Sequence, residues 1–291
     1  MKKKVIGLLI LLAIYLIASG IGVGLFFLLE GKMDILLNVL VCDVIATIFV
    51  WATGLIFKTA SVYDPYWSLQ TFVIYLGLLF YYQNFTLFTI IPLVAIAIYS
   101  IRLTVNFTLG FHDLTYVDWR YKMLASKSGK LFQLVNLFGI CMFPTLVVYS
   151  CSIPLMVYAS PMVNHGYLDF IGSAIILGGT LLELITDIQM KKFIKVRTDR
   201  GQVINIGLWK YSRHPNYLGE ISIWFGVFLV LFPSNVSLYY YVFGAVINLL
   251  MFIFISIPME ENHMKEYKPA INEYIKTTSC LLILPKKREN K

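Results

Sequence analysis

Long apolar runs separated by short polar connections make up most of this chain. Eight of them extend over roughly the 17 to 25 residues that a helix needs to cross a bilayer. They lie at about residues 5–29, 35–57, 67–82, 85–109, 132–158, 166–188, 216–233 and 237–257. The pattern therefore predicts an all-α fold, a polytopic transmembrane helix bundle of about eight spans.

The positions of Lys and Arg predict the orientation of this bundle. These residues cluster at 2–4, at 58, and in the segments 120–130, 191–213 and 265–291, and only Lys32 and Arg102 lie elsewhere. Because Lys and Arg resist translocation, the connections rich in them are expected to face the cytoplasm. Both termini are then cytoplasmic. No small-residue cleavage site follows the first apolar run, which is predicted to be a retained anchor.

Composition narrows the classes of chemistry. Hydrophobic residues make up 58% of the chain, and the net charge is +8. The basic residues lie where topology requires them, so we expect membrane lipids as partners and no nucleic acid, and we infer no protein partner. The four histidines, like the four cysteines, are scattered, so the sequence predicts no metal site and no disulfide framework.

Two polar stretches lie at membrane depth, where ionisable groups are costly. In SVYDPYWSLQ, Asp64 precedes Pro65 at the start of the third run, where it either caps the helix or belongs to a site. In AIYSIRLTVNF, Tyr99, Arg102 and Asn106 share one helical face through their i, i+3, i+7 spacing. An inward polar stripe is favoured over an arginine that only reaches the headgroups.

A third polar face lies at the inner end of the sixth run, in LLELITDIQMKKF. Glu183, Asp187 and Lys191 follow i, i+4, i+8 spacing. Asp187 and Lys191 have the order of an ordinary helix ion pair. Glu183 lies about one turn deeper and lacks a local basic partner, which favours a site.

The stretch GLWKYSRHPNYLGE, residues 207–220, is polar although it lies between two apolar runs. The basic segment before it suits phosphate groups, and a helix beginning near Pro215 adds its amino-terminal dipole. Asn216 and Glu220 are spaced i, i+4 and share a face of that helix. The preference for cytoplasmic Lys and Arg explains the lysines but not RHPNYLGE.

Together these stretches resemble the membrane steroid 5-alpha-reductase superfamily, in particular its bacterial branch. The resemblance covers most of the chain and is densest at LLELITDIQMKKF, GLWKYSRHPNYLGE, IPMEENHM and YIKTTS. It implies reduction of a carbon-carbon double bond conjugated to a carbonyl, with NADPH as the hydride donor and a lipophilic substrate from the bilayer. The family's usual seven helices imply that residues 1–34 are an extra anchor and residues 35–291 the shared core.

The same resemblance implies roles for individual residues. Asp64 and Tyr99 match the pair that contacts the substrate carbonyl, although steroid reductases have Glu where this chain has Asp64. Glu183 likewise replaces an Asn of those enzymes. The implied cofactor-binding residues are Arg102, Glu183, Asp187, Lys191, Arg197, Lys210, Tyr211, Arg213, His214, Asn216, Glu220, His263 and Tyr267.

Two other functions stay open from the sequence. Isoprenylcysteine and phospholipid methyltransferases share the His-Pro-x-Tyr pattern and use S-adenosylmethionine, which needs fewer cations because it has no phosphates. A non-enzymatic lipid-binding protein is the other class. The cations before RHPNY and the pair Asp64 and Tyr99 favour the reductase. Because the resemblance is to the bacterial branch of the superfamily, we expect the protein in the bacterial cytoplasmic membrane.

Overall fold

The computed structural model describes residues 2–286, and α-helices account for most of them. The helices are α1 (Lys2–Leu29), α2 (Ile35–Phe57), α3 (Tyr66–Tyr82), α4 (Leu87–Gly110), α5 (Trp119–Ser128), α6 (Phe132–Val135), α7 (Phe143–Tyr158), α8 (Phe170–Val196), α9 (Pro215–Leu231), α10 (Phe243–Met251), α11 (Ile257–Tyr267) and α12 (Ile271–Thr277). Two π-helical segments, Asn136–Met142 and Phe252–Ser256, continue α6 into α7 and α10 into α11.

The predicted all-α membrane bundle is confirmed. Six continuous helical segments of the described chain are long and apolar enough to cross a membrane: Lys2–Leu29, Ile35–Phe57, Leu87–Gly110, Trp119–Tyr158, Tyr167–Val196 and Val236–Tyr267. The other two predicted spans correspond to α3 and α9, which have 17 residues each. The chain is therefore an integral membrane protein.

The chain divides into two compact units, Met1–His165 and Gly166–Lys291. In the first unit, small hydroxyl side chains join α2, α3 and α7. The Thr47 and Thr145 hydroxyl oxygens are 3.1 Å apart, and Thr71 and Ser152 lie 2.6 Å apart. Such bonds between helices satisfy polar groups that have no water to bind inside a bilayer. The assignment of residues 1–34 as an extra anchor stays a prediction.

In the second unit, glycines bring the backbones of α8 and α9 together. A Cβ added at Gly172 would lie 2.4 Å from the Val230 nitrogen, and one at Gly179 would lie 2.7 Å from the Gly219 oxygen. Membrane helices pack closely where small residues face each other, because lipid tails are as apolar as the side chains and packing supplies the attraction. The two helices therefore pair along Gly172, Gly179, Gly219 and Gly226.

We expect Gly179→Ala to destabilise the second unit, because the methyl group would collide with the backbone of α9. The expected loss in free energy of unfolding is about 1–3 kcal/mol. Gly178→Ala is the matched control, since an added Cβ there meets no atom within 4 Å. Thermal unfolding of both variants in detergent measures the difference, and equal melting temperatures would contradict the assigned helix contact.

Candidate functional site

In the first unit, Asp64 lies in the turn between α2 and α3 and accepts a hydrogen bond from the Tyr121 hydroxyl of α5. The helix-capping alternative does not apply, because Pro65 occupies the N-cap position of α3 and no side chain caps that end. Burial raises the pKa of Asp64 to about 6, while the Tyr121 hydroxyl and the Arg120 guanidinium oppose the shift. The carboxyl group is thus neither a cap nor a solvated surface charge.

Tyr99 and Arg102 lie on α4, Tyr99 fully buried and Arg102 half-buried. A hydrogen bond of 3.3 Å between Ser68 and Thr104 joins the first turn of α3 to α4, a little more than one turn beyond Tyr99. The end of α3 that follows Asp64 therefore lies beside the half of α4 that carries Arg102.

Tyr121 is the residue of this region that the sequence did not single out. It follows Asp118 in DWRYKM, where the Asp118 carboxylate caps α5 by accepting from the Arg120 backbone nitrogen at 2.9 Å. The same Asp118 carboxylate also binds the Arg120 guanidinium at 2.8 Å. An N-cap Asp followed by Arg and Tyr in a basic connection is the signal that would have drawn attention to Tyr121.

In the second unit, the two predicted carboxylates lie on the paired helices α8 and α9. Glu183 and Glu220 are both buried. Gly219 leaves room for the first of them, since a Cβ at Gly219 would lie 2.6 Å from the Glu183 Cγ. The Trp224 indole nitrogen donates to the Glu220 carboxylate at 2.9 Å. Asp187 and Lys191 follow on α8 towards its more exposed end.

Asn216 lies in the first turn of α9, one turn before Glu220. Its side-chain oxygen is buried and has no hydrogen-bond partner within the described part of the chain. An unpaired buried oxygen costs about 1–3 kcal/mol, so native structures rarely keep one without reason. A ligand that donates to this oxygen would remove that cost.

Arg213 and His214 both bind one carboxylate, that of Glu261 on α11. The Arg213 Nε lies 2.8 Å and the His214 Nε2 3.0 Å from the same oxygen. Arg213 also donates to the carbonyl oxygens of Ile275 and Thr278, at 2.6 and 2.9 Å. The Arg213 guanidinium therefore binds both Glu261 and the segment that follows α11.

That segment, residues 275–284, is held to the loop before α9 by backbone bonds, and we call it the tail segment. The nitrogens of Arg213 and His214 donate to the carbonyl oxygens of Ser279 and Cys280, at 2.9 and 3.2 Å. The Leu284 nitrogen donates to the Tyr211 carbonyl oxygen at 3.3 Å. RHPNYLGE is therefore fixed in place on its amino-terminal side by the tail segment.

The remaining predicted residues lie on the exposed side of these elements. Lys210 places its amine 5.7 Å from the centre of the Tyr211 ring, and the His263 and Tyr267 rings lie 5.2 Å apart. Lys268, which the sequence reasoning did not include, has its pKa lowered by burial, a shift that Glu260 opposes and Arg197 increases. Arg197, Tyr267 and Lys268 thus belong to one basic region.

Comparison with known proteins finds a match to one family model. Residues 50–278 match the model described as protein of unknown function, DUF1295. No curated protein and no solved structure matches the chain. The matched range includes Asp64, Asn216 and Glu261, and it leaves α1 and the first part of α2 outside.

The pH dependence of stability tests the burial of Asp64. Its pKa of about 6 lies above the ordinary Asp value of 3.8, so the folded chain binds this proton more tightly than the unfolded chain. The resulting stabilisation is complete below about pH 4 and is lost as the pH rises through about 6. Asp64→Asn stays neutral, so its stability relative to wild type should rise by up to about 3 kcal/mol between pH 4 and 7.

Asp113→Asn provides a control of opposite sign. Hydrogen bonds from the Thr115 hydroxyl and backbone lower the pKa of the exposed Asp113. The stabilisation from Asp113 is therefore present above about pH 4 and is lost in acid, so the relative stability of Asp113→Asn should fall as the pH rises. Unfolding in detergent at pH 4 and pH 7 measures the stability of each variant relative to wild type. If the stability of wild type and of Asp64→Asn changed equally with pH, the assigned burial of Asp64 would be contradicted.

Glu261→Gln should release the tail segment, because it removes the carboxylate shared by Arg213 and His214. Breaking a partly buried pair in this way costs about 3 kcal/mol. We expect faster tryptic cleavage at Lys276, measured by intact mass. Glu266→Gln is the control, since Glu266 lies on the same helix, is largely exposed and binds His263. Equal cleavage rates would show that Glu261 does not hold the tail segment.

Proposed function

We propose that this chain, which belongs to the DUF1295 family of proteins of unknown function, is a membrane-embedded NADPH-dependent reductase. Its substrate class is a lipophilic molecule in which a carbon-carbon double bond is conjugated to a carbonyl. The observation that carries the proposal is the buried, unpaired oxygen of Asn216 at the start of α9. Asn216 lies in the first turn of a helix, six residues after Lys210, and a helix amino terminus with cations in the preceding loop suits a phosphate-bearing cofactor.

The residues of the second unit fit such a cofactor. The first turn of α9 offers backbone N–H groups and the positive end of the helix dipole, which favour anions. Lys210, Arg197 and Lys268 supply cations for phosphates. Asn216 accepts a hydrogen bond from an amide or hydroxyl group of the ligand. Arg213 and His214 act by holding the loop, since Glu261 and the tail segment already bind them.

Tyr99 and Asp64 would contact the substrate. NADPH, when bound, would supply a hydride to the double bond, and negative charge would then develop on the carbonyl oxygen. Tyr99 donates a hydrogen bond to that oxygen, because a hydroxyl donor stabilises developing charge most where water is excluded. Asp64 is held by Tyr121 and, with a pKa of about 6, carries a proton in part of the protein near neutral pH. It therefore serves to orient the carbonyl or to supply a proton.

Binding of NADPH to the purified protein in detergent tests the proposal. We expect Asn216→Ala to lower the affinity for NADPH at least about tenfold, because the loss of one hydrogen bond costs about 1.4 kcal/mol. Loss of the side-chain oxygen Oδ1 should not lower the melting temperature of the ligand-free variant, because that oxygen has no hydrogen-bond partner among residues 2–286. Asn235→Ala, at an exposed position after α9, is the matched control.

Two further measurements separate the proposal from its alternatives. Tyr99→Phe should abolish reduction of lipophilic enones while NADPH affinity stays within about twofold of wild type. S-adenosylmethionine should not bind. If the protein binds S-adenosylmethionine but not NADPH, the methyltransferase function is supported instead of the reductase. If it binds neither, the lipid-binding function is supported.

A further inference from the structure

A large cavity lies in the first unit between α1, α2 and α3. Its volume is about 680 Å³, within the range of about 300–1,000 Å³ typical of small-molecule sites. Apolar side chains form most of its wall, among them Ala18, Val39, Val73 and Leu78. The residues that line this cavity include none of those assigned above to the reductase, and α1 and the first half of α2 lie outside the family match.

One wall of this cavity carries a carboxylate. Asp43 lies near the middle of α2 and is 6% exposed. It accepts hydrogen bonds from the Gln70 amide at 2.5 Å and from the Tyr66 hydroxyl at 3.4 Å. A carboxylate inside a transmembrane segment is costly and typically marks a functional position. We call Asp43, Tyr66 and Gln70 the polar cluster.

The donors of the polar cluster are already used within the protein. The Gln70 nitrogen gives its second hydrogen bond to the Thr145 carbonyl oxygen, at 3.1 Å. The other tyrosines that line the cavity also donate elsewhere, Tyr15 to the Val62 carbonyl and Tyr81 to the Glu30 carboxylate. The Ser19 hydroxyl in the wall can either donate or accept a hydrogen bond.

The polar cluster still has hydrogen-bond acceptors without a donor. The Gln70 side-chain oxygen is buried and has no hydrogen-bond partner within residues 2–286. The Asp43 carboxyl group also keeps free lone pairs, whether or not it carries a proton. A head group that donates a hydrogen bond satisfies this cluster. A ketone, an ether or an ester would leave the Gln70 oxygen unpaired.

We propose that this cavity binds a long-chain lipid alcohol, with its hydrocarbon chain along the apolar wall and its hydroxyl donating to Asp43. A neutral hydroxyl is favoured over an ammonium group, because burying a cation in the bilayer interior adds a desolvation cost. The site does not depend on the proposed reductase activity. It is a second lipid site, and the carbonyl of an enone does not match its polar cluster.

Oleyl alcohol and its methyl ether are the probes, because they share one chain and differ in the hydroxyl donor. Binding to the detergent-purified protein is measured by native mass spectrometry and by thermal shift. We expect oleyl alcohol to bind at least tenfold more tightly than the methyl ether. Equal affinity for the two probes would overturn the proposal, because it would show that the polar cluster does not select a donor.

Filling the cavity gives an independent test. Gly22 of α1 and Gly77 of α3 both line it, and an added Cβ at either meets no atom within 4 Å, so leucine can enter the free space. Gly22→Leu and Gly77→Leu should reduce oleyl alcohol binding at least tenfold. Gly24→Leu is the matched control: its Cβ also meets nothing, but Gly24 is exposed and does not line the cavity. If Gly22→Leu and Gly77→Leu both bind oleyl alcohol with the affinity of the wild type, the proposal is overturned.

Asp43→Asn tests the polarity of the site. Asn keeps the shape and adds an N–H donor, so the preference for alcohol over methyl ether should fall to within about twofold. Should this variant fail to fold, the two glycine variants still decide the question. NADPH binding is measured in parallel and should be unchanged in Gly22→Leu, which keeps a failure of the cavity proposal distinct from a failure of the reductase proposal.

Discussion

The close contact of α8 and α9 determines the geometry of the second unit. With Gly179 facing Gly219, the two backbones approach to a distance that any side chain would prevent. That approach places Glu183 against the α9 backbone and sets the direction of the first turn of α9, where Asn216 lies. The candidate cofactor residues therefore depend on positions that carry no functional group themselves, and van der Waals packing holds them in place.

Inside a bilayer, a polar group has no water to bind and needs a partner within the protein, and several polar groups of the first unit find one through side-chain hydrogen bonds. Thr145 shows how far such a network extends, since its hydroxyl contacts Thr47 and Tyr63 and its carbonyl oxygen accepts from Gln70. One residue of α7 thus ties together α2, α3 and the turn between them. The polar cluster of the cavity is an extension of this network.

Hydropathy was sufficient to predict the long apolar helices, because a membrane span must be long and apolar whatever its neighbours are. Partners from distant parts of the chain were not predictable in the same way. Arg213 was assigned to phosphates because it lies in a basic loop, yet its guanidinium binds Glu261, 48 residues away. The contact of Tyr121 with Asp64 was not predictable from local spacing, because the two spans α3 and α4 separate these residues along the chain. The cavity was overlooked because three helices each contribute one face to it.

The helix positions of Glu183 and Glu220 were predictable from i, i+4 spacing, but the space for Glu183 against α9 depends on Gly219, whose role is apparent only when the two helices are paired. The same holds for Asn216, whose position was predicted and whose unpaired oxygen was not. Local spacing thus located the candidate site residues, while their surroundings depended on contacts between helices. Which of these residues bind NADPH stays a prediction.

The attachment of the tail segment to the loop before α9 has a consequence for biosynthesis. Arg213 binds carbonyl oxygens of residues that follow it by 62 and 65 positions. At about 5–20 residues per second, a ribosome makes those partners several seconds after the loop itself. During that interval α9 can enter the membrane while its amino-terminal loop lacks the contacts that fix it. Insertion of the helix and completion of the loop are therefore separate events in time.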